Sequence, residues 1–481
     1  MNKHKSIGKD MATPYIMDNS EELLCRFGGI PALKQSWQSV GVERALQLAD
    51  VHYGQDKDKA GDISLLLVSA PFVEATSHRK VAQRFGGEVS ALETDPLLTE
   101  QTEHSISQRT LNRFVNTDRY DWLQVQAERV QQMQQLPGYK TNRKGVVIVD
   151  DWPMIKAFAS TMPYLSPVWD NNLKCSLPGY AIVHLHYYHP YLKSYSLGMY
   201  PWLKKSLTVE KKSKRQARRP AREDEEKSKL DIALLLIDRL LSGLNFAALL
   251  FDSWYTARWF GQELTDRGNT WIGDADTKQK FEVGGRYLDV PQIYARYSAQ
   301  LQRVPGQKRS VKAISLPAVI RPDRYTKVPQ KVQLVLVTGL HKPRDKDKGY
   351  KVLVCNRRHY RIQRIVRLFT YRPKIEAVHR HGKQEAGWLD FHNRSVQALL
   401  CHLTFCMFRC DCLDWLQQAV PAARGFSPKQ FIDHCLKATV RLIRRAGRWI
   451  ACLKPDHPLW SFFIQPKLIH RRRFHSIVKV H

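Results

Sequence analysis

Two short runs constrain this chain more than anything else in it. VVIVDDW (146–152) and ALLFDSWY (248–255) each carry an apolar segment straight into a carboxylate: Asp150 and Asp151 in the first, Asp252 in the second. A short apolar run bounded by polar or turn residues is the pattern of a buried strand. GYAIVHLHYYH (179–189) reads as a further strand, half-exposed, with His184 and His186 on one face as ordinary polar alternation rather than metal ligands. SKLDIALLLIDRLLSGL (228–244) reads as a helix leading into the Asp252 strand.

The flanks differ in texture. The first 140 or so residues are helical in pattern, as in SISQRTLNRFVNTDRYDWLQVQAERVQQMQQL (105–136), until Pro137, Gly138 and Gly145 break the period. None of these helices stands out as part of a helix-turn-helix. From about 275 to 355 short alternating segments such as QKVQLVLVTGL (330–340) read as mainly β. Helical spacing returns at Arg357 and holds, with interruptions, almost to the end.

At 481 residues the chain is expected to form two to four folding units, and its 43% apolar content suffices for packed cores. Lys and Arg total 76 against 45 acidic residues, a net charge of +31. Local peaks lie at KKSKRQARRPAR (211–222), RLIRRAGR (441–448) and RRR (471–473). Such an excess calls for a polyanionic partner, because neutralising phosphates releases counterions and supplies affinity independent of sequence. The nine cysteines form no CxxC pair and fit a reducing compartment; the four in CHLTFCMFRCDC (401–412) read as core thiols of a buried helix. The longest apolar stretch (230–251) is broken by Asp238 and Arg239, so no membrane span is expected, and the first residues lack a hydrophobic signal core.

A third acid lies in FTYRPKIEAVHRHGK (369–383), where Glu376 is surrounded by basic residues. Arg372 and Glu376 have the spacing of a surface ion pair on one helix face. Pro373 suits a first helical turn, so the helix bearing Glu376 should begin about there and leave Arg372 just outside it. Two strands ending in Asp and a later helix carrying Glu are also the parts of a carboxylate cage for hard divalent ions.

These three segments together resemble the DDE transposases of bacterial insertion sequences, in the insertion sequence four-like group with the Tyr-Arg-Glu-Lys signature. Arg372, Glu376 and Lys383 match the spacing of that signature, whereas Phe369 stands at its tyrosine, with Tyr371 two residues later. Pro373 replaces a common Trp, and Trp152 replaces a threonine common in the first motif. The matching segments run from about 140 to 415.

The resemblance implies an α/β fold with a ribonuclease H-like catalytic core and an inserted β-rich domain, flanked by helical N- and C-terminal regions. In this chain these would be a DNA-binding region at 1–140, the core at 141–274 and 356–415, the insertion at 275–355 and a basic helical region at 416–481. It implies two Mg2+ ions, replaceable by Mn2+, held by Asp150, Asp252 and Glu376, with Asp151 as the alternative first aspartate because adjacent strand residues face opposite ways. Arg372, Lys383 and Tyr371 would contact DNA phosphates. The implied activity is cut-and-paste transposition by a homodimer on double-stranded element ends and target DNA, in the bacterial cytoplasm at the nucleoid, with no membrane and no small-molecule substrate. A repair-type endonuclease of the same fold and an inactive transposase-derived DNA-binding protein are the alternatives.

Overall fold

The computed structural model of the protein describes residues 15–16, 22–25, 27–53, 57–75, 77–85, 96–99, 101–157, 159, 162–170, 173–204, 226–308, 310–323, 325–340, 349–391, 393–423, 425–445, 448–452 and 457–459. The basic peaks at 211–222 and 471–473 and the first 14 residues lie outside them. The chain divides into two compact units, one formed by 1–136 with 380–481 and the other by 137–379.

The first unit is mostly helical and is organised around Val396–Ala419, whose Leu399, Leu403, Phe405, Cys406 and Leu416 are buried. This helix is long and apolar enough to cross a membrane by length and composition, yet 78% of its most apolar stretch is covered by protein. Cys401, Cys406 and Cys412 are buried free thiols along it. The helix Trp122–Gln135 meets it through Arg129, whose guanidinium donates to Asp411 at 2.5 Å, and through Gln126, which donates to Thr404.

The end of the chain departs from the helical expectation for 416–481. Beyond short helical turns at 428–436, Val440–Arg445 and Arg448–Cys452 form an antiparallel pair. Val440–Arg445 also pairs with Glu22–Cys25, which pairs with Tyr15–Ile16. VRLIRR mixes β-branched Val440 and Ile443 with Arg at a length too short for a stable helix, and cross-strand pairing with a distant segment decides its conformation.

The second unit is built on one 12-stranded sheet. Val146–Ile155 pairs antiparallel with Cys175–Tyr188, which pairs antiparallel with Tyr195–Trp202 and, at its start, with Ser166–Asp170. On its other edge Val146–Ile155 runs parallel to Leu249–Phe251, itself parallel to Trp271–Asp274. Parallel neighbours need crossovers, supplied by the helices Lys229–Leu240 and Arg258–Asp266. Ser228 caps the first with a reciprocal bond to Asp231.

The β-rich stretch continues this same sheet. Tyr350–Cys355 pairs antiparallel with Trp271–Asp274, and Gln330–Thr338, Lys312–Ile320, Lys280–Val283 and Arg286–Asp289 follow in order. One face of the central strands, carrying Val146, Ile148, Leu250 and Ile272, packs against Ile365, Val366, Leu368, Phe369 and Ile375. That packing lays the helix Ile362–Phe369 and the start of Lys374–Glu385 over the strands that end in acids.

Candidate active site

Parallel register sets the acids side by side. Val147 lies opposite Leu249 and Ile148 opposite Leu250, so the alignment carried two or three residues onward brings Asp150 level with Asp252. Phe251 lies opposite Gly273, and the next residues in each strand are Asp252 and Asp274. Three neighbouring strands therefore deliver three carboxylates to one end of the sheet. Glu376 comes from the helix Lys374–Glu385, which starts directly after Pro373 as the sequence requires and leaves Arg372 outside it.

The Arg372 guanidinium joins these groups. Its Nη2 lies 3.2 Å from Asp150 Oδ1 and 3.1 Å from Asp252 Oδ2, and its Nη1 lies 3.2 Å from Glu376 Oε1. The spacing that predicts a plain surface pair is realised, and the same side chain also reaches both aspartates. One positive charge thus faces three negative ones. Asp150 is the most enclosed, with 13% of its side chain exposed against 37% for Asp252 and 58% for Glu376. Its burial, opposed by Arg372 and reinforced by Asp252 and Asp151, pushes its pKa up to about 7.

Asp151 points the other way, as strand alternation demands. Its Oδ2 accepts from Lys229 Nζ at 2.7 Å and its Oδ1 from the buried Tyr255 hydroxyl at 3.2 Å. The Lys229 ammonium also lies 4.8 Å from the Trp254 ring and 5.3 Å from the Trp202 ring, both within cation–π reach. Of the two adjacent aspartates, Asp150 shares a cation with Asp252 and Glu376, while Asp151 is tied to its own lysine.

Other residues of the signature fall in varied places. Phe369, at the signature tyrosine, is buried in the core, so an apolar ring fills that position. Tyr371 is half-buried with its ring 5.0 Å from that of Tyr188. Lys383 stands two turns beyond Glu376 on the same helix. Three further residues near the acids were not singled out from the sequence. Asp274 closes the apolar run of WIGD as Asp252 closes that of ALLFD, a signal present in the sequence; its carboxylate pairs with Lys351, and burial raises its pKa. Lys229 carries no such signal, since it is one of many lysines beside a helix start.

The third is His379, one turn after Glu376, and it corrects the reading of His184. His184 and His186 are buried rather than half-exposed, and over His184 lies His379 of the Glu376 helix. His184 Nδ1 lies 3.0 Å from His379 Nε2, and His184 Nε2 lies 2.9 Å from Ser196 Oγ. Since His184 is the register partner of Asp150, this contact ties the Glu376 helix to the strand beside the acids.

As donors, three carboxylates at one strand end suit a hard divalent cation. One guanidinium faces all three, so negative charge is left over. Among the described residues no group of three or more His, Cys, Asp or Glu side chains is arranged to hold a metal ion directly. The acids here converge on a guanidinium instead of on one another. By kind and by charge they fit a divalent ion, and the position of Arg372 is what such an ion would contest.

Comparison with known proteins agrees with this chemistry. No curated protein matches the chain. A family model described as DDE superfamily endonuclease matches residues 95–335, about half the chain, a span that holds Asp150, Asp151 and Asp252 and ends before Arg372 and Glu376. With Asp150 and Asp252 level on adjacent parallel strands and that match across half its length, the chain belongs to the DDE superfamily endonucleases.

Proposed function

We propose that this protein is a DNA transposase acting at the ends of an insertion sequence, with Asp150, Asp252 and Glu376 as its catalytic carboxylates. The single observation that carries the reading is the contact of one guanidinium, Arg372, with all three acids. The strand arrangement supports a ribonuclease H-like core: three antiparallel strands followed by two parallel ones, with the central strand and its parallel neighbour leading into the aspartates. The strands between residues 275 and 355 would be the β-rich insertion of the Tyr-Arg-Glu-Lys group.

Asp150, Asp252 and Glu376 would hold two Mg2+ ions, or Mn2+ in their place. When bound, these supply an activated water and charge stabilisation at phosphorus. The remaining work falls to the chain's own residues. Asp150 must give up its proton to ligate, which its raised pKa makes dependent on pH near neutrality. Arg372 would exchange carboxylates for a DNA phosphate, which its planar fork matches in two-point geometry. Lys383 and Tyr371 would contact neighbouring phosphates. Asp151 is disfavoured as a ligand because Lys229 and Tyr255 already hold it.

The proposed reaction sequence is hydrolysis at an element end, attack of the freed 3′-hydroxyl on the opposite strand with release of the flanking DNA, a second hydrolysis that frees that 3′-hydroxyl again, and its attack on target DNA. The proposed assembly is a homodimer on paired ends at the bacterial nucleoid, and the net charge of +31 supports a polyanionic substrate.

The test is magnesium-dependent cleavage and end-joining of DNA carrying the element's ends, comparing wild type with Glu376→Gln. Wild type should cut and join, and the variant should bind without cutting. Cutting without joining would leave an endonuclease; binding with no cutting under any divalent ion would leave a DNA-binding protein.

A further inference from the structure

The helix Gln108–Asn116, QRTLNRFVN, contains no acidic residue. Ser107 caps it by accepting from the Thr110 amide. One face, Leu111, Phe114 and Val115, is buried, and Phe114 is wedged 5.5 Å from the Tyr120 ring and 5.9 Å from the Trp122 ring. The opposite face carries Arg109 and Arg113, both exposed and one turn apart, with Asn112 between them and Asn116 beyond. Together with Gln108 these residues line a shallow concavity belonging to this helix alone.

Two arginines at i and i+4 repel and weaken a helix unless something anionic lies over them. Packed behind is the helix His78–Arg84, whose His78 ring nitrogen lies 2.6 Å from Asn112 Oδ1 and whose Arg79 and Lys80 are exposed. Asp50 and Asp118 stand with Arg113 around the neighbouring hollow, so the two hollows beside this helix differ in charge.

We propose that Gln108–Asn116 is the helix that enters the major groove of double-stranded DNA, with Arg109 and Arg113 contacting guanine edges and Arg79 and Lys80 holding flanking phosphates. At about 1.5 Å per residue its nine residues span about 14 Å, and a helix of this width fits the groove. Arginine is the side chain that pairs in two-point fashion with guanine O6 and N7. Tilted and edge-on contacts among Phe114, Tyr120 and Trp122 anchor the buried face of the helix, as a reading element requires. A 23-residue separation from His78–Arg84 hides the pair from a search for a short helix-turn-helix. This inference rests on the reading of DNA as substrate.

The test uses the full chain in EDTA, so that binding is measured apart from cutting. A random double-stranded oligonucleotide pool is selected on wild type, Arg109→Lys/Arg113→Lys and Lys80→Ala. Wild type should enrich a motif containing guanine. The double lysine variant keeps the charge and loses the fork; it should flatten that motif by about 10-fold at the affected positions while binding random DNA within about twofold of wild type. Lys80→Ala should weaken all sequences alike and reduce the salt slope by about one.

If the double lysine variant selects the wild-type motif with unchanged strength, or if wild type selects no motif at all, the inference is overturned. Cleavage by wild type against Glu376→Gln is scored separately. A protein that cuts DNA but reads it unchanged in the lysine variant sinks this inference alone. One that selects through Arg109 and Arg113 yet never cuts sinks the catalytic reading alone.

Discussion

Two arginines in this protein face carboxylates under opposite terms. In the helical unit Arg129 and Asp411 are almost wholly enclosed, 0% and 2% exposed, and matched one to one. In the sheet unit Arg372 is divided among Asp150, Asp252 and Glu376, two of them substantially open to solvent. The first arrangement is closed: one guanidinium meets one carboxylate out of solvent, and Gln126 and Thr404 bond alongside. The second is open, with net negative charge left over and room for another cation or for a phosphate that draws the arginine away. A balanced buried pair reads as architecture, and an unbalanced exposed cluster reads as chemistry.

The comparison breaks first on activity. Asp252→Asn and Glu376→Gln should each lower magnesium-dependent cleavage by at least about 10³-fold, comparable to removing a principal electrostatic catalyst, while urea titration shows stability nearly unchanged. A large loss of stability instead would make the acid cluster structural. Asp411→Ala should do the reverse. Leaving Arg129 buried without its partner costs about 3–5 kcal/mol, read in the same titration. Arg129→Met/Asp411→Leu should recover much of it if the pair serves only packing.

A smaller effect sharpens the contrast through pH. The Asp150 carboxyl holds its proton to about pH 7 in the folded chain against 3.8 for its ordinary value. Between those values the folded state binds the extra proton, so metal-free stability falls as pH rises through that window. Asp150→Asn removes the loss and should stabilise the metal-free protein at pH 8 by on the order of 1 kcal/mol, with little gain at pH 4, in thermal melts across pH. Equal effects at both pH values would show that the carboxyl does not titrate there. The smallest effect is expected at Lys229→Ala, which frees Asp151 and removes the contacts to Trp254 and Trp202. It should cost about 1 kcal/mol.

What could be read in the sequence, and what could not, follows from the range of the forces involved. The strand leading into Asp252 and the helix start after Pro373 are local, set by an apolar run and by the φ of proline, and they form where the sequence places them; the strand through Asp150 begins as expected but runs on to Ile155, because Cys175–Tyr188 pairs along its whole length. The antiparallel pair at 440–452 joins neighbours in sequence, but the strand on its other side, Glu22–Cys25, lies more than 400 residues away, and pairing there overrides a pattern that looks helical. The burial of His184 likewise depends on a helix arriving from far along the chain. Arg372 was legible as a partner of Glu376 by spacing but not as a bridge among three acids, because its outside-the-helix position matters only once the strands set Asp150 and Asp252 side by side.

The distance along the chain between Asp252 and Glu376 also has a consequence in time. Domains fold in order as they leave the ribosome, so a nascent or truncated chain can present both strand aspartates while Arg372 and Glu376 are still missing. Both the last acid and the cation that restrains all three arrive together, within five residues of each other. An unfinished polypeptide therefore carries two of the three proposed ligands and lacks both the third and the guanidinium that restrains them all.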